Sequence, residues 1–262
     1  VRVPPVRIAE PAQMGAVKTA QAKSRAQAYT DKMPILFEDE VLLIVDKPAG
    51  LAVHGGSGIS LGVIETLRIT RPELKFLELV HRLDRDTSGV LLLAKKRSAL
   101  VELHRQIRDG LTDKRYFLLA HGAIHQGAQV MQLKYPLHKY LLANGERRVR
   151  VDPEGLPSHT ALRVNTIFKK TDTAITLAEA QLKTGRTHQI RVHLQKLGHA
   201  ILGDDKYGFE DQDKLLKTKR LYLHAHLAGF THPRTGQKMR IESPLPKEFE
   251  SMIKTITESV ED

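Results

Sequence analysis

The segment His81-Arg82-Leu83-Asp84-Arg85-Asp86-Thr87-Ser88-Gly89 packs two Asp, two Arg and a His into its first six positions. Leu77, Leu79 and Val80 precede it, and the wholly apolar run Val90 to Ala94 comes directly after it. Apolar runs of this kind fold inward, and charges drawn in with them are costly unless each is paired. Two readings remain. The block is a solvated turn capped by Asp and Ser, or it is a carboxylate held ionised by arginines at the edge of a cleft.

The rest of the chain narrows the choice of partner. Its 262 residues carry 41 Lys+Arg against 30 Asp+Glu, a formal net charge of +11. Such an excess suits a polyanion, since Lys and Arg that neutralise phosphates release counterions. There is no cysteine, which excludes disulfides, thiolate metal sites and cysteine nucleophiles and fits a cytoplasmic location. No apolar run approaches the roughly 20 residues that span a bilayer, and the first residues lack the pattern of a signal peptide.

Residues 1–33 differ from the rest of the chain. The opening Val1-Arg2-Val3-Pro4-Pro5-Val6-Arg7 has no helical period, and residues 11–30 are rich in Ala, Gln and Lys; the segment reads as a linker or the trailing edge of a domain. From Ile35 the pattern becomes dense. Strands are expected at 41–45, 90–94, 116–120, 147–151, 160–168, 173–182, 221–230 and 237–242, from apolar runs and alternation. Helices are expected from Ser60 to about Arg68, from Ser98 to Gly110, from Thr187 to Leu197 and over 247–258. Strands outnumber helices and often succeed one another directly, which predicts an α+β fold with a largely antiparallel sheet.

A second motif is Lys183-Thr184-Gly185-Arg186-Thr187-His188-Gln189-Ile190-Arg191-Val192-His193. Gly185 suits a turn, Thr187 can cap the helix after it, and His188 and Arg191 share one of its faces. His188 and His193 are five apart with no Glu between them in metalloprotease spacing, so no metal is expected here. A phosphate-binding helix start, or an arginine serving a buried carboxylate, suits the residues better. The loop Val53-His54-Gly55-Gly56-Ser57-Gly58 lacks the ending of a P-loop and the spacing of G-x-G-x-x-G and reads as a flexible turn, with lining the path of a nucleic acid as the second reading. Basic clusters recur at Lys95-Lys96-Arg97, Lys114-Arg115, Arg147-Arg148, Lys169-Lys170 and Lys217 to Arg220.

At these residues a family resemblance enters. The central motif His81 to Gly89 resembles that of the RluA family of RNA pseudouridine synthases. Lys47-Pro48-Ala49-Gly50-Leu51 with Val53-His54 resembles the family's first motif, Lys114-Arg115-Tyr116 its tyrosine motif, and Gly185 to His193 its arginine motif. Leu221 to Ala225 with Thr231-His232-Pro233 resembles the last. Order and separation agree over about residues 34–250. The resemblance implies a pseudouridine synthase fold: a largely antiparallel mixed sheet flanked by helices around a central active-site cleft. The start of the chain and the loop at Val53 look most like a branch that acts on large-subunit (23S) ribosomal RNA. Members of that branch carry a small S4-type RNA-binding domain before the catalytic one. Residues 1–33 would then be its trailing end, and 34–262 the catalytic domain of a monomer.

The resemblance also implies roles. Asp84 is the catalytic carboxylate, acting at C1′, at C6 or on the C2′ proton. Arg191 is its salt-bridge partner. Tyr116 stacks on the uracil and serves in C5 deprotonation, although a phenol is a weak base at neutral pH. Leu223 is an apolar wall, Arg82 fills the stack vacated by a flipped base, and His81, Thr87, Arg186 and His188 complete the substrate site. Neither cofactor nor metal is implied, because the isomerisation involves no redox step. Two other readings stay open on the residues: a non-catalytic ribosomal RNA binder, and a glycosidase-like hydrolase using Asp86 as a second carboxylate.

Overall fold

A computed structural model describes residues 20–55, 61–125, 130–170 and 173–258. In chain order its elements are α1 (Ala20–Thr30), β1 (Ile35–Glu38), β2 (Leu42–Lys47), α2 (Val63–Thr70), β3 (Glu78–Leu79), β4 (Ser88–Ala94) and α3 (Arg97–Arg108). Next come β5 (Asp113–His121), β6 (Met131–Leu133), β7 (Leu137–Leu141), β8 (Arg147–Val151), β9 (Thr160–Lys170) and β10 (Thr173–Leu182). The chain ends with α4 (Gln189–Lys196), α5 (Glu210–Leu215), β11 (Leu223–Thr231), β12 (Lys238–Glu242) and α6 (Lys247–Glu258). The strands pair antiparallel in both units, as expected of an α+β protein. No helix among the described residues is long and apolar enough to cross a membrane. The chain forms two compact units, one of Val1–Thr112 with Phe230–Ile241, the other of Asp113–Gly229 with Glu242–Asp262.

In the first unit β2 lies between β1 and β4, and the two-residue β3 pairs with β4. Leu42 to Val45 and Val90 to Ala94 are almost fully buried, which is why both read as unbroken apolar runs. On α3, Leu100 and Leu103 face the core while Glu102 and Arg105 pair outside, and Gly110 ends the helix region at φ +70°.

Two expectations are corrected here. Ala20–Thr30, read as linker, is a helix, and Ala26 on it is fully buried. Ala, Gln, Lys and Arg are good helix formers, and a buried Ala lets two backbones approach without large side chains between them. The Thr30 and Thr70 hydroxyls hydrogen-bond at 3.1 Å, tying α1 to the end of α2. Residues 1–19 lie outside the described residues. So do Ser60, expected to cap α2, and residues 56–60 of the glycine loop. The helix starts at Val63, with the Glu65 carboxylate accepting the N–H groups of Gly62 (3.0 Å) and Gly55 (2.9 Å).

In the second unit the strands run β11-β5-β10-β9-β6, with β7 and β8 forming a separate hairpin. One core cluster joins Leu119, Ile175, Leu202 and Tyr222 to Phe249, Met252 and Ile256 of α6. A second joins Val192 of α4 to Leu137, Val149 and Tyr207. Helix α4 starts at Gln189, not Thr187. Its N-cap is His188 in the left-handed conformation (φ 52°, ψ 21°), without a side-chain cap.

Candidate active site

In the first unit the charged nonapeptide is the loop between β3 and β4. The Thr87 N–H donates to the Asp84 carbonyl at 3.2 Å, closing a turn. Thr87 is buried and Asp84 is half-buried, while Arg82 is exposed. His81 fastens the start of the loop to β4, its Nε2 accepting the Leu92 N–H at 3.1 Å. Arg85 and Asp86, the two central residues of the turn, pair with each other at 3.1 Å. Asp86 is thus engaged by its neighbour, which weakens its candidacy as a second catalytic carboxylate.

The strongest anchor of this loop is Lys47, which was not expected to take part. It closes β2 opposite Gly89, the second residue of β4, and is fully buried. Its Nζ donates to the carbonyls of Pro48 (2.9 Å), Leu51 (2.7 Å) and Arg85 (2.8 Å). A buried ammonium must be hydrogen-bonded on every side. Here it welds the turn after β2 to the residue next to Asp84.

In the second unit Arg191 is 2% exposed on α4. Its Nε donates to Asp204 Oδ2 (2.8 Å), and its Nη2 to Asp204 Oδ1 (2.6 Å) and Asp205 Oδ1 (3.1 Å). The Arg191–Asp204 pair is bidentate, the geometry that best fixes the plane of a guanidinium. Asp204 Oδ1 also accepts the N–H groups of Lys206 (2.9 Å) and Tyr207 (3.0 Å), so the carboxylate is saturated. The loop that carries it needs Gly203 and Gly208. A Cβ at Gly203 would lie 1.8 Å from the Arg220 carbonyl oxygen, and one at Gly208 2.2 Å from that of Asp204.

Tyr207 joins the expected pair on α4. Its ring lies 5.2 Å from the Arg191 guanidinium, and its hydroxyl meets His188 Nδ1 at 2.7 Å while accepting the Val149 N–H at 2.9 Å. Burial pushes its phenol up to about 12, so it stays neutral. His188 and Arg191 therefore converge on one ring, as their spacing suggested. Arg186 points elsewhere, its Nε donating to the Pro157 carbonyl at 3.0 Å. His193 is buried against Ser158, with Nε2 2.8 Å from the hydroxyl. Burial pushes His193 down to about 4. Among the described residues no group of three His, Asp or Glu could hold a metal ion.

Tyr116 is 7% exposed on β5, opposite Ala180 of β10. The neighbouring positions Asp113 and Arg115 pair with each other and, through Arg115, with Glu179. Because side chains alternate along a strand, Lys114, Tyr116 and Leu118 occupy the other face. Leu223, buried at the start of β11, lies opposite Leu118.

The family model for RNA pseudouridylate synthase matches residues 41–196, a span that holds Asp84, Tyr116 and Arg191. The chain belongs to this family. It is 48% identical to a ribosomal large subunit pseudouridine synthase C of Pasteurella multocida (strain Pm70), over 98% of this chain and 77% of that protein. It is 50% identical to the protein of the same name from Escherichia coli (strain K12), over 94% of this chain and 75% of that one. Among solved structures, human RNA pseudouridylate synthase domain containing 4 matches with a TM-score of 0.69 at 25% identity, covering 90% of this chain and 97% of that one. Human RNA pseudouridylate synthase domain containing 1 has the same TM-score at 21% identity, covering 87% and 94%, and shares the fold.

In this pseudouridine synthase the motif residues lie where strands begin or helices start, the usual places for chemistry on a rigid scaffold. Sequence reading placed Lys47 in a motif without giving it a role, and missed Asp204 and Tyr207. Lys47 left a faint signal, a lysine ending the apolar run Val41 to Val45. Asp204-Asp205, one glycine after the buried Ile201 and Leu202 and with Gly208 beyond, left another.

Proposed function

We propose that this enzyme converts specific uridines of large-subunit ribosomal RNA to pseudouridine, with Asp84 as its catalytic carboxylate. The observation that carries the reading is the anchoring of the Asp84 turn: a fully buried Lys47 fixes the Arg85 carbonyl and His81 fixes Leu92. A solvated turn would have no use for so costly an anchor. The names of the relatives support ribosomal RNA as substrate, and the net charge of +11 suits it.

The reaction breaks the N1–C1′ bond of the uridine, turns the base and forms a C5–C1′ bond, after which C5 loses its proton and N1 takes one up, so that the product is an isomer of the substrate. Nothing is oxidised or reduced, so no redox cofactor is needed. A uridine in folded RNA must leave its stack, at a cost of a few kcal/mol. Arg82, exposed beside Asp84, is suited to fill the gap. Tyr116 stacks on the uracil and takes part in C5 deprotonation, Leu223 is an apolar wall, and Arg191 is the cation that keeps Asp84 ionised. Thr87 and His81 hold the Asp84 turn, His188 holds Tyr207, and Arg186 belongs to the RNA-facing loop. Residues 34–262 act as the catalytic domain of a cytoplasmic monomer.

The test is incubation of the purified protein with an in vitro transcript of large-subunit ribosomal RNA, and then site mapping. Rearranged uridine at discrete positions, without added metal or nucleotide and after exhaustive chelation, is the expected result. Released uracil would make the enzyme a hydrolase. Binding without either product would make it a non-catalytic RNA binder.

A further inference from the structure

We infer that Lys114 is a phosphate-contacting residue of the RNA site, neutralising a backbone phosphate beside the nucleotide that Tyr116 receives. The inference rests on the function proposed above and adds a residue to it. Among the described residues, Lys114 Nζ has no hydrogen bond or ion pair, although the side chain is half-buried. Its sequence neighbours are treated differently. Arg115 is held by Asp113 and Glu179, and Asp113 also accepts from Gln181. These carboxylates lie on the face of β5 away from Lys114 and Tyr116. A lysine left without a counter-charge on one face, beside a strand whose other face is fully paired, marks a place where the anion comes from outside.

The surroundings suit a strand of RNA. Opposite Lys114 on β11 is Ala228, and opposite Tyr116 on β10 is Ala180, so small side chains flank both. The nearest group to a Cβ built at Gly185 is Lys114 Nζ, at 3.6 Å. The ammonium therefore lies by the exposed glycine of the loop that leads into α4. Exposed Lys183, two residues before Gly185 in the same loop, adds to the positive potential here. Burial lowers the pKa of Lys114 itself, with no charge partner to oppose the shift. A phosphate would supply the missing partner.

The experiment compares binding of the wild-type protein, Lys114→Gln and Lys114→Arg to the same ribosomal RNA transcript across a range of salt concentrations. Each phosphate contact contributes about 0.7–0.9 to the slope of log affinity against log salt. Lys114→Gln should weaken binding and lower that slope by about one contact, and Lys114→Arg should keep the slope. An unchanged slope in a folded Lys114→Gln protein overturns the inference, even with weakened affinity, because the contact would then be to a base or sugar. Should Lys114→Gln fail to fold, the wild-type protein still decides. Acylation of Lys114 by an amine-reactive ester, read by mass spectrometry, should be suppressed by the transcript, and labelling unaffected by RNA overturns the inference. Both measurements read binding alone, so a wild-type protein that binds the RNA but forms no pseudouridine would refute the proposed reaction and leave the Lys114 result standing.

Discussion

The Asp84 loop and the Arg191 helix are each fixed by a buried ionic group, but the groups are attached differently. Lys47 donates to three backbone carbonyls and so fixes the path of the chain around Asp84. Asp204 accepts from the Arg191 guanidinium itself and so fixes a side chain. The first device sets where a carboxylate stands. The second sets the plane of a cation. Damage to the first should move the Asp84 carboxylate, whereas damage to the second should strip a buried guanidinium of its bidentate partner.

The largest effect should come from Asp84→Asn. It preserves shape and removes charge, and pseudouridine formation should fall by more than about 10³-fold, as for other essential catalytic groups. RNA affinity and melting temperature should stay near wild type. Retained turnover would break the assignment and, with it, any functional meaning of the Lys47 anchor.

Next comes Asp204→Asn, which keeps the volume and removes the charge facing Arg191. Breaking a buried ion pair by deleting one partner costs about 3–5 kcal/mol, and the loss should appear in thermal or denaturant unfolding. Activity should fall as well, with kcat affected more than KM, because Arg191 would keep its charge but lose its plane. Arg191→Lys with Asp204 intact should recover only part of the activity, since an ammonium cannot reproduce the bidentate fork. If Asp204→Asn costs stability alone, Asp204 is structural and the two anchors differ in purpose as well as in form.

A smaller effect on catalysis is expected of Lys47→Met, which keeps most of the length and removes the donor to three carbonyls. Each carbonyl left unsatisfied costs about 1–3 kcal/mol, less where water enters. The signature is the kinetic pattern. A displaced Asp84 should lower the single-turnover rate on saturating RNA while RNA affinity holds. Equal loss of affinity and rate would mean that Lys47 supports the whole unit rather than one loop.

The two anchors also show what could be read from the sequence. The strands at 90–94, 160–168 and 173–182 were legible because unbroken or alternating apolar residues have few other places to go. The helix over 247–258 was legible from its period, which buries Phe249, Met252 and Ile256. Short β1, β3 and β6 carry too few residues to show a pattern, β7 buries only Leu137 along its length, and α1 hides its one contact face behind Ala26. Asp84 and Arg191 were visible because their motifs are dense in charge beside apolar runs, and Tyr116 through the family resemblance. Lys47 and Asp204 were not, for a physical reason. A lysine bound to carbonyls needs no special sequence around its partners, and the Asp204–Arg191 pair spans 13 positions through a glycine turn that only the folded chain closes.

The smallest effect is on the response to acid, and it separates the two regions again. His193 is on α4, two residues from Arg191, and burial pushes it down to about 4 from an ordinary 6.5. His224 on β11 is pushed down to about 4 for the same reason. Between pH 6.5 and 4 the unfolded chain therefore binds more protons at these sites than the folded one, so stability falls as pH drops through that window. From pH 7.5 to 5.5 the loss should be about 1 kcal/mol for each histidine. The first unit has a weaker counterpart in half-buried His104, which burial shifts in the same direction. Its paired carboxylates Glu38 and Asp39 have lowered pKa values, so their contribution is lost only below about pH 4.5. Hydrogen exchange corrected for intrinsic rates should show α4 losing protection between pH 7.5 and 5.5 before β2 and β4 do. Equal losses in both regions would mean that acid acts on the fold as a whole, and that the Arg191 helix is no more sensitive to protonation than the Asp84 loop.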